Sequence, residues 1–289
     1  MDRARHLFLA CVIIFIIGAI VYIEQKKPPV PQSQGEFAPQ GVVTEPSPSD
    51  PHREVFERKE KQFPRAQELA STHGFINASP FTIKDLIGKK VVLVDFWTYS
   101  CINCQRTLPY INAWYEKYRN EGLEIVAVDT PEFRFEKEYE NVSRAVKQFG
   151  IQYPVVLDND YGTWRAYENQ YWPHKYLVDV DGFIVYDHIG EGSYGETESK
   201  IQELLKERKD RMQMATDIST GTVVPAGVET VGGFSQTPEI YFGSMRNAHL
   251  GNGTKGRPQE AVFSLPSTFA QNLFYLDGAW AITGEYAQN

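Results

Sequence analysis

Val91–Pro109, VVLVDFWTYSCINCQRTLP, constrains this chain more than any other stretch. Val91–Phe96 is apolar almost throughout, as a central strand covered on both faces should be. A tight turn carrying Cys101 and Cys104 follows. Then come Leu108, Ile111, Tyr115 and Tyr118 at helical spacing, with Pro109 as a kink. Two cysteines at C-x-x-C spacing, after a buried strand and at the start of a helix, read as a redox pair. A helix N-terminus offers unpaired N–H groups and partial positive charge, which favour a thiolate over a thiol. The spacing lets the second sulfur reach the first, so the pair can open and close a disulfide. The third cysteine, Cys11, lies in an apolar N-terminal run. A zinc site would need two further ligands, and no second C-x-x-C or H-x3-H exists. Haem attachment would need His after Cys104, where Gln105 stands; peroxiredoxin chemistry would need Pro where Val94 stands.

Asp95 interrupts the apolar strand six residues before Cys101, Pro109 follows Cys104 by five, and Trp172-Pro173 comes later in YWPHKYLVD. These residues resemble a thioredoxin-fold thiol–disulfide oxidoreductase of the TlpA/ResA-type branch, and most closely the exported thioredoxin-like portion of DipZ-type proteins. The resemblance covers roughly residues 63 to 210. It implies that Cys101 is the nucleophile, Cys104 the resolving thiol, Asp95 a buried proton acceptor and Pro173 a cis-proline facing the disulfide. Trp172 is expected to offer backbone groups to an extended substrate, a form of strand addition. Trp97 and Tyr99 are expected to wall the site. His174 and His188 read as packing or surface residues. The redox-active pair itself serves as cofactor, and no metal is expected.

The N-terminus sets the topology. Leu7–Ile23 is 17 residues without a charge, roughly 26 Å of helix and just long enough to cross a membrane. No small-x-small cleavage site closes it, so residues 1–25 read as an uncleaved anchor; a cleaved signal peptide, suggested by Arg3 and Arg5 before the run, is the rival reading. Pro28, Pro29, Pro31, Pro39, Pro46, Pro48 and Pro51 mark residues 26–62 as a tether, with a charged end that can start a short helix. The resemblance implies a single-pass protein of a bacterial cell membrane with its soluble part on the extracytoplasmic side. A formal net charge of −8 with no basic cluster argues against a nucleic-acid partner.

Residues 63–210 form the expected thioredoxin-like domain. Gly74–Asn77 and Phe81–Ile83 read as a short strand or hairpin, Leu123–Val128 as a strand and Thr130–Glu140 as a polar loop. Asn141–Gln148 reads as a helix, Tyr153–Leu157 as a strand and Trp164–Tyr171 as a short helix. The helix–strand unit between the cysteines and Pro173 is the TlpA-type insertion. Tyr176–Val180, Asp181-Gly182 and Phe183–His188 give a hairpin, and Glu196–Arg208 the last helix. The fold class is therefore an α/β sandwich around a mixed sheet. From Thr216 the texture changes: Gly and Thr rise, and short apolar segments such as Glu239–Phe242 and Ala279–Ile282 predict β structure. Residues 216–289 resemble part of the carbohydrate-binding-like β-sandwich of DipZ-type proteins, with TPEIYFG, Thr237–Gly243, as the local match.

Two functions follow. One is a membrane-tethered reductase of exported protein disulfides, with electrons from a CcdA-like membrane partner implied by the resemblance, and apocytochrome c among the substrates of such proteins. The alternative is a non-catalytic thioredoxin-fold scaffold for a cell-envelope or carbohydrate-binding module.

Overall fold

The strand that precedes the cysteines lies in the middle of a sheet. The computed structural model describes residues 52–289 except 216, 227 and 229–237. The expected anchor and most of the tether lie outside the described residues. Among the described residues no helix is long and apolar enough to cross a membrane.

The elements run α1 (Arg53–Gln62), β1 (Phe75–Ile76), α2 (Ile83–Leu86), β2 (Val91–Trp97), α3 (Ile102–Tyr118), β3 (Leu123–Asp129), α4 (Tyr139–Gln148), β4 (Val155–Leu157) and α5 (Gly162–Ala166). They continue with β5 (His174–Val178), β6 (Ile184–Ile189), α6 (Tyr194–Arg211), β7 (Gln259–Phe263), β8 (Gly278–Ile282) and β9 (Ala287–Gln288). One six-stranded sheet has the order β1-β4-β3-β2-β5-β6. β2 pairs parallel with β3 and antiparallel with β5. This is a thioredoxin-like α/β fold with the helix–strand insertion α4–β4.

Every residue of β2 is buried because both faces of the sheet are covered. The pleat sends alternate residues to opposite faces. Leu93 and Trp97 join a core with Leu108, Ile111 and Trp114 of α3 and Ile201 and Leu205 of α6. Val92, Val94 and Phe96 join a second core with Ile83, Tyr167 and Tyr176. Asp95 shares the parity of Leu93 and Trp97, so it points to the α3 face, where the cysteines are.

Three expectations need correction. Phe81-Thr82-Ile83 is no strand: Thr82 caps α2, its hydroxyl accepting from the Asp85 N–H while the Asp85 carboxylate accepts from the Thr82 N–H. The short helix near residue 164 starts earlier, at Gly162, because the Asp158 carboxylate accepts from the N–H groups of Thr163 and Trp164. The charged end of the expected tether forms the short helix expected there, α1, but that helix packs on the domain. Helix α1 docks on the domain through Phe56, edge-on to Phe183 at 5.3 Å, and through Lys59, which donates to Asp179 at 2.7 Å and also to Glu207.

The C-terminal part is all-β, as expected. Its described strands make a single three-stranded antiparallel sheet, β7-β8-β9, over a small core of Leu250, Phe263, Leu276 and Ile282. Glu239–Phe242 lies outside any strand. Gly243 closes that segment where a side chain could not fit, since a Cβ there would meet the Glu285 backbone at 2.2 Å.

Candidate active site

Cys101 is the N-cap of α3, and its sulfur accepts from the Cys104 N–H at 3.3 Å. Both cysteines are free thiols. Cys101 is half-buried, whereas Cys104, one turn in, is 1% exposed and belongs to the core with Trp97. This difference separates their acidities. Hydrogen bonds from the Cys104 thiol and from the Cys104 and Asn103 amides lower the Cys101 pKa, against burial and the charge of Glu132. Burial first, and then the Cys101 sulfur, push the Cys104 thiol well up.

Asp95 lies 1% exposed on the α3 face, and its Oδ1 has no hydrogen-bond partner. Burial raises its pKa from 3.8 to about 7, with the Lys175 ammonium pulling the other way. Lys175 stands opposite Asp95 on β5 and is fully buried. Its Nζ donates to the Gly190 carbonyl at 2.9 Å, and burial lowers its pKa against the attraction of Asp95 and Cys104. A lysine and an aspartate facing each other across two central strands share one face of the sheet. Sequence reasoning missed Lys175, because only the β2–β5 register brings it to Asp95.

The Trp172–Pro173 bond is cis. His174 pairs with Phe96, so Pro173 lies level with Trp97, at the end of β2 from which the cysteine turn departs. Trp172 is held by its indole N–H, which donates to the Thr130 carbonyl at 2.9 Å, and by Trp164, whose ring lies 4.2 Å away. Buried Glu136 also escaped the sequence reading, within a stretch taken as a polar loop. It accepts from the N–H groups of Glu132 and Phe133 at 2.7 and 2.8 Å and from the Ser100 hydroxyl, tying the 131–137 turn to the residue before Cys101. His174 is buried between Asn169 and Asp187, a packing role as expected.

A family model described as Redoxin matches residues 59–205. Over 136 residues the chain is 32% identical to the thiol-disulfide oxidoreductase ResA of Bacillus cereus, covering 44% of this chain and 76% of that one. The chain belongs to the redoxin family of thiol–disulfide oxidoreductases. Over 222 residues this redoxin is also 40% identical to protein DipZ of Mycobacterium tuberculosis, a match spanning 75% of this chain but only 31% of DipZ. A solution structure of a thioredoxin-like protein in the oxidised form overlaps half of the chain at 26% identity and a TM-score of 0.47.

The redoxin site departs from expectation at two aromatic residues. Trp97 is fully buried in the core with Cys104 and lines no groove. Tyr99 turns away toward α4, its hydroxyl donating to the Phe135 carbonyl, and lines a separate cavity with Asn141 and Arg144. Of the three residues expected to meet substrate, only Trp172 lines the cavity that contains Cys101. Among the described residues one carboxylate cluster, Asp179, Asp181 and Glu207, could hold a cation; the Lys59 ammonium already sits among them.

Proposed function

We propose that this chain is a membrane-tethered, extracytoplasmic reductase of exported protein disulfides that works through Cys101 and Cys104, drawing electrons from a CcdA-like membrane partner. Apocytochrome c is one substrate class that the family resemblance suggests. The carrying observation is the asymmetry of the pair: an accessible, acidified thiol at a helix N-cap beside a buried, weakly acidic one. The uncharged run Leu7–Ile23 supports the tether.

The Cys101 thiolate attacks one sulfur of the substrate disulfide and expels the other as a thiolate. Cys104 then gives up its proton and attacks the Cys101 sulfur, releasing the second substrate thiol. Two electrons pass to the substrate and a Cys101–Cys104 disulfide remains, for an external dithiol to reduce. Asp95 lies on the Cys104 side with a pKa near neutrality, suited to taking that proton. Pro173 and the backbone of Trp172 border the substrate. The test is insulin reduction with Cys104→Ser as a trap. Mixed disulfides should accumulate on Cys104→Ser and not on Cys101→Ser; accumulation on Cys101→Ser would reverse the roles.

A further inference from the structure

Cys101 opens into a cavity of about 620 Å³, within the range of ligand sites, roughly 300–1,000 Å³. One wall is Ile102 and Trp172. The other belongs to the C-terminal segment: Ile240, Phe242 and Tyr286. That wall is fastened beside the cysteine turn. Arg246 forms an ion pair with Glu132 and lies over the Phe133 ring at 4.7 Å, and Glu285 accepts from the Arg134 N–H at 3.0 Å. Ile102, Ile240, Phe242 and Tyr286 are nonetheless 40–56% exposed. So much apolar surface around a nucleophile is unusual on a soluble face and marks a binding site. Its charge is one-sided. Glu132, Glu239 and Glu285 line the same cavity and no described lysine, arginine or histidine does; Arg246, outside that lining, pairs with Glu132 and is attracted to Glu239.

We infer that residues 239–242 and 285–287 form the second wall of a substrate groove. Its occupant is an extended, cysteine-bearing polypeptide segment with apolar side chains beside the cysteine and basic ones outside them. This rests on the oxidoreductase reading above and adds a selectivity to it. The half-buried Cys101 lies between walls, where a thin strand reaches it and the face of a folded domain does not. Aromatic side chains cover the apolar flanks of such a strand, and the carboxylates steer its basic ends.

The test uses the full chain in detergent, kept reduced with dithiothreitol, and three probes. These are a disulfide-linked peptide with Leu and Phe beside Cys and Lys outside, the same peptide with Glu for Lys, and neutral 2-hydroxyethyl disulfide. The basic peptide should exceed the acidic one by about ten-fold in kcat/KM at low salt, and the gap should shrink as salt screens it. Phe242→Ala and Tyr286→Ala should raise KM for the basic peptide several-fold with a smaller effect on kcat, and Tyr286→Phe should restore it. Equal kcat/KM for the two peptides, or variants that leave the ratio of basic peptide to 2-hydroxyethyl disulfide unmoved, overturns the groove alone. If the chain accelerates reduction of none of the three over the dithiothreitol background, the oxidoreductase reading is overturned, and the groove with it.

Discussion

The two walls beside Cys101 are built differently. The redoxin wall rests on a core that shields both faces of β2, and that burial sets the acidities of Asp95, Lys175 and Cys104. The C-terminal wall rests on a small described core of Leu250, Phe263, Leu276 and Ile282 with Phe274 and Trp280 packed on it, and turns aromatic side chains outward. Chemistry needs groups removed from water on every side; selection needs surface left in it. Damage to the first wall should therefore stop the reaction, and damage to the second should change what reacts.

The largest effect belongs to Cys101. Cys101→Ser should lower disulfide reduction by at least about 10³-fold, to the uncatalysed background, because the other described thiol, Cys104, is buried and cannot reach a substrate disulfide. Next is Asp95→Asn. Stopped-flow fluorescence should show release of the mixed disulfide slowed by about 10²-fold near pH 7. The same change should stabilise the fold. Asp95 titrates near 7 when folded against 3.8 when unfolded, so the folded chain holds more protons between those values. Stability therefore falls as pH rises from about 4 to about 7 and then levels. Desolvation of the carboxylate costs at most about 4 kcal/mol there, so urea unfolding at pH 8 should find Asp95→Asn more stable by about 1–3 kcal/mol. No gain at pH 8 would mean that Asp95 is not held in a dry site.

The second wall should respond more quietly. Leu276→Ala should loosen the small sheet by about 2–3 kcal/mol, seen as faster hydrogen exchange in β7 and β8 with little change in β2. Preference for the basic peptide should fall while 2-hydroxyethyl disulfide is still reduced. If the small disulfide is lost too, the walls are not separable. The smallest effect is expected from Lys175→Met. Without its ammonium, Asp95 should hold its proton to higher pH, and the pH profile of mixed-disulfide release should move upward. An unmoved profile would show that Lys175 serves packing alone.

Much of the redoxin wall was legible in the sequence. An aspartate inside VVLVDFW breaks an apolar run, and its spacing to Cys101 and that of Pro109 to Cys104 are local facts. What stayed hidden depends on pairing across distance. Lys175 meets Asp95 only through the β2–β5 register. The Glu285 and Arg246 contacts to the 131–136 turn join residues more than a hundred positions apart. Helix α1 reads as the charged end of a tether because its sequence, REVFERKEKQ, is mostly charged, and its docking through Phe56 and Lys59 depends on residues far along the chain. Trp97 and Tyr99 flank the cysteine turn in sequence, but the pleat buries the first and the turn rotates the second. Thr82 and Asp85, at capping-box spacing, mark the start of α2 in the sequence itself.

Competitive alkylation probes the division of labour between the two cysteines. The reduced chain would be treated with limiting iodoacetamide at pH 6 and pH 8, and Cys101 and Cys104 quantified by mass spectrometry. Cys101 should be modified at least about ten-fold faster at both pH values, since its thiolate is stabilised and accessible while Cys104 is buried and protonated. Equal rates, or faster modification of Cys104, would contradict it.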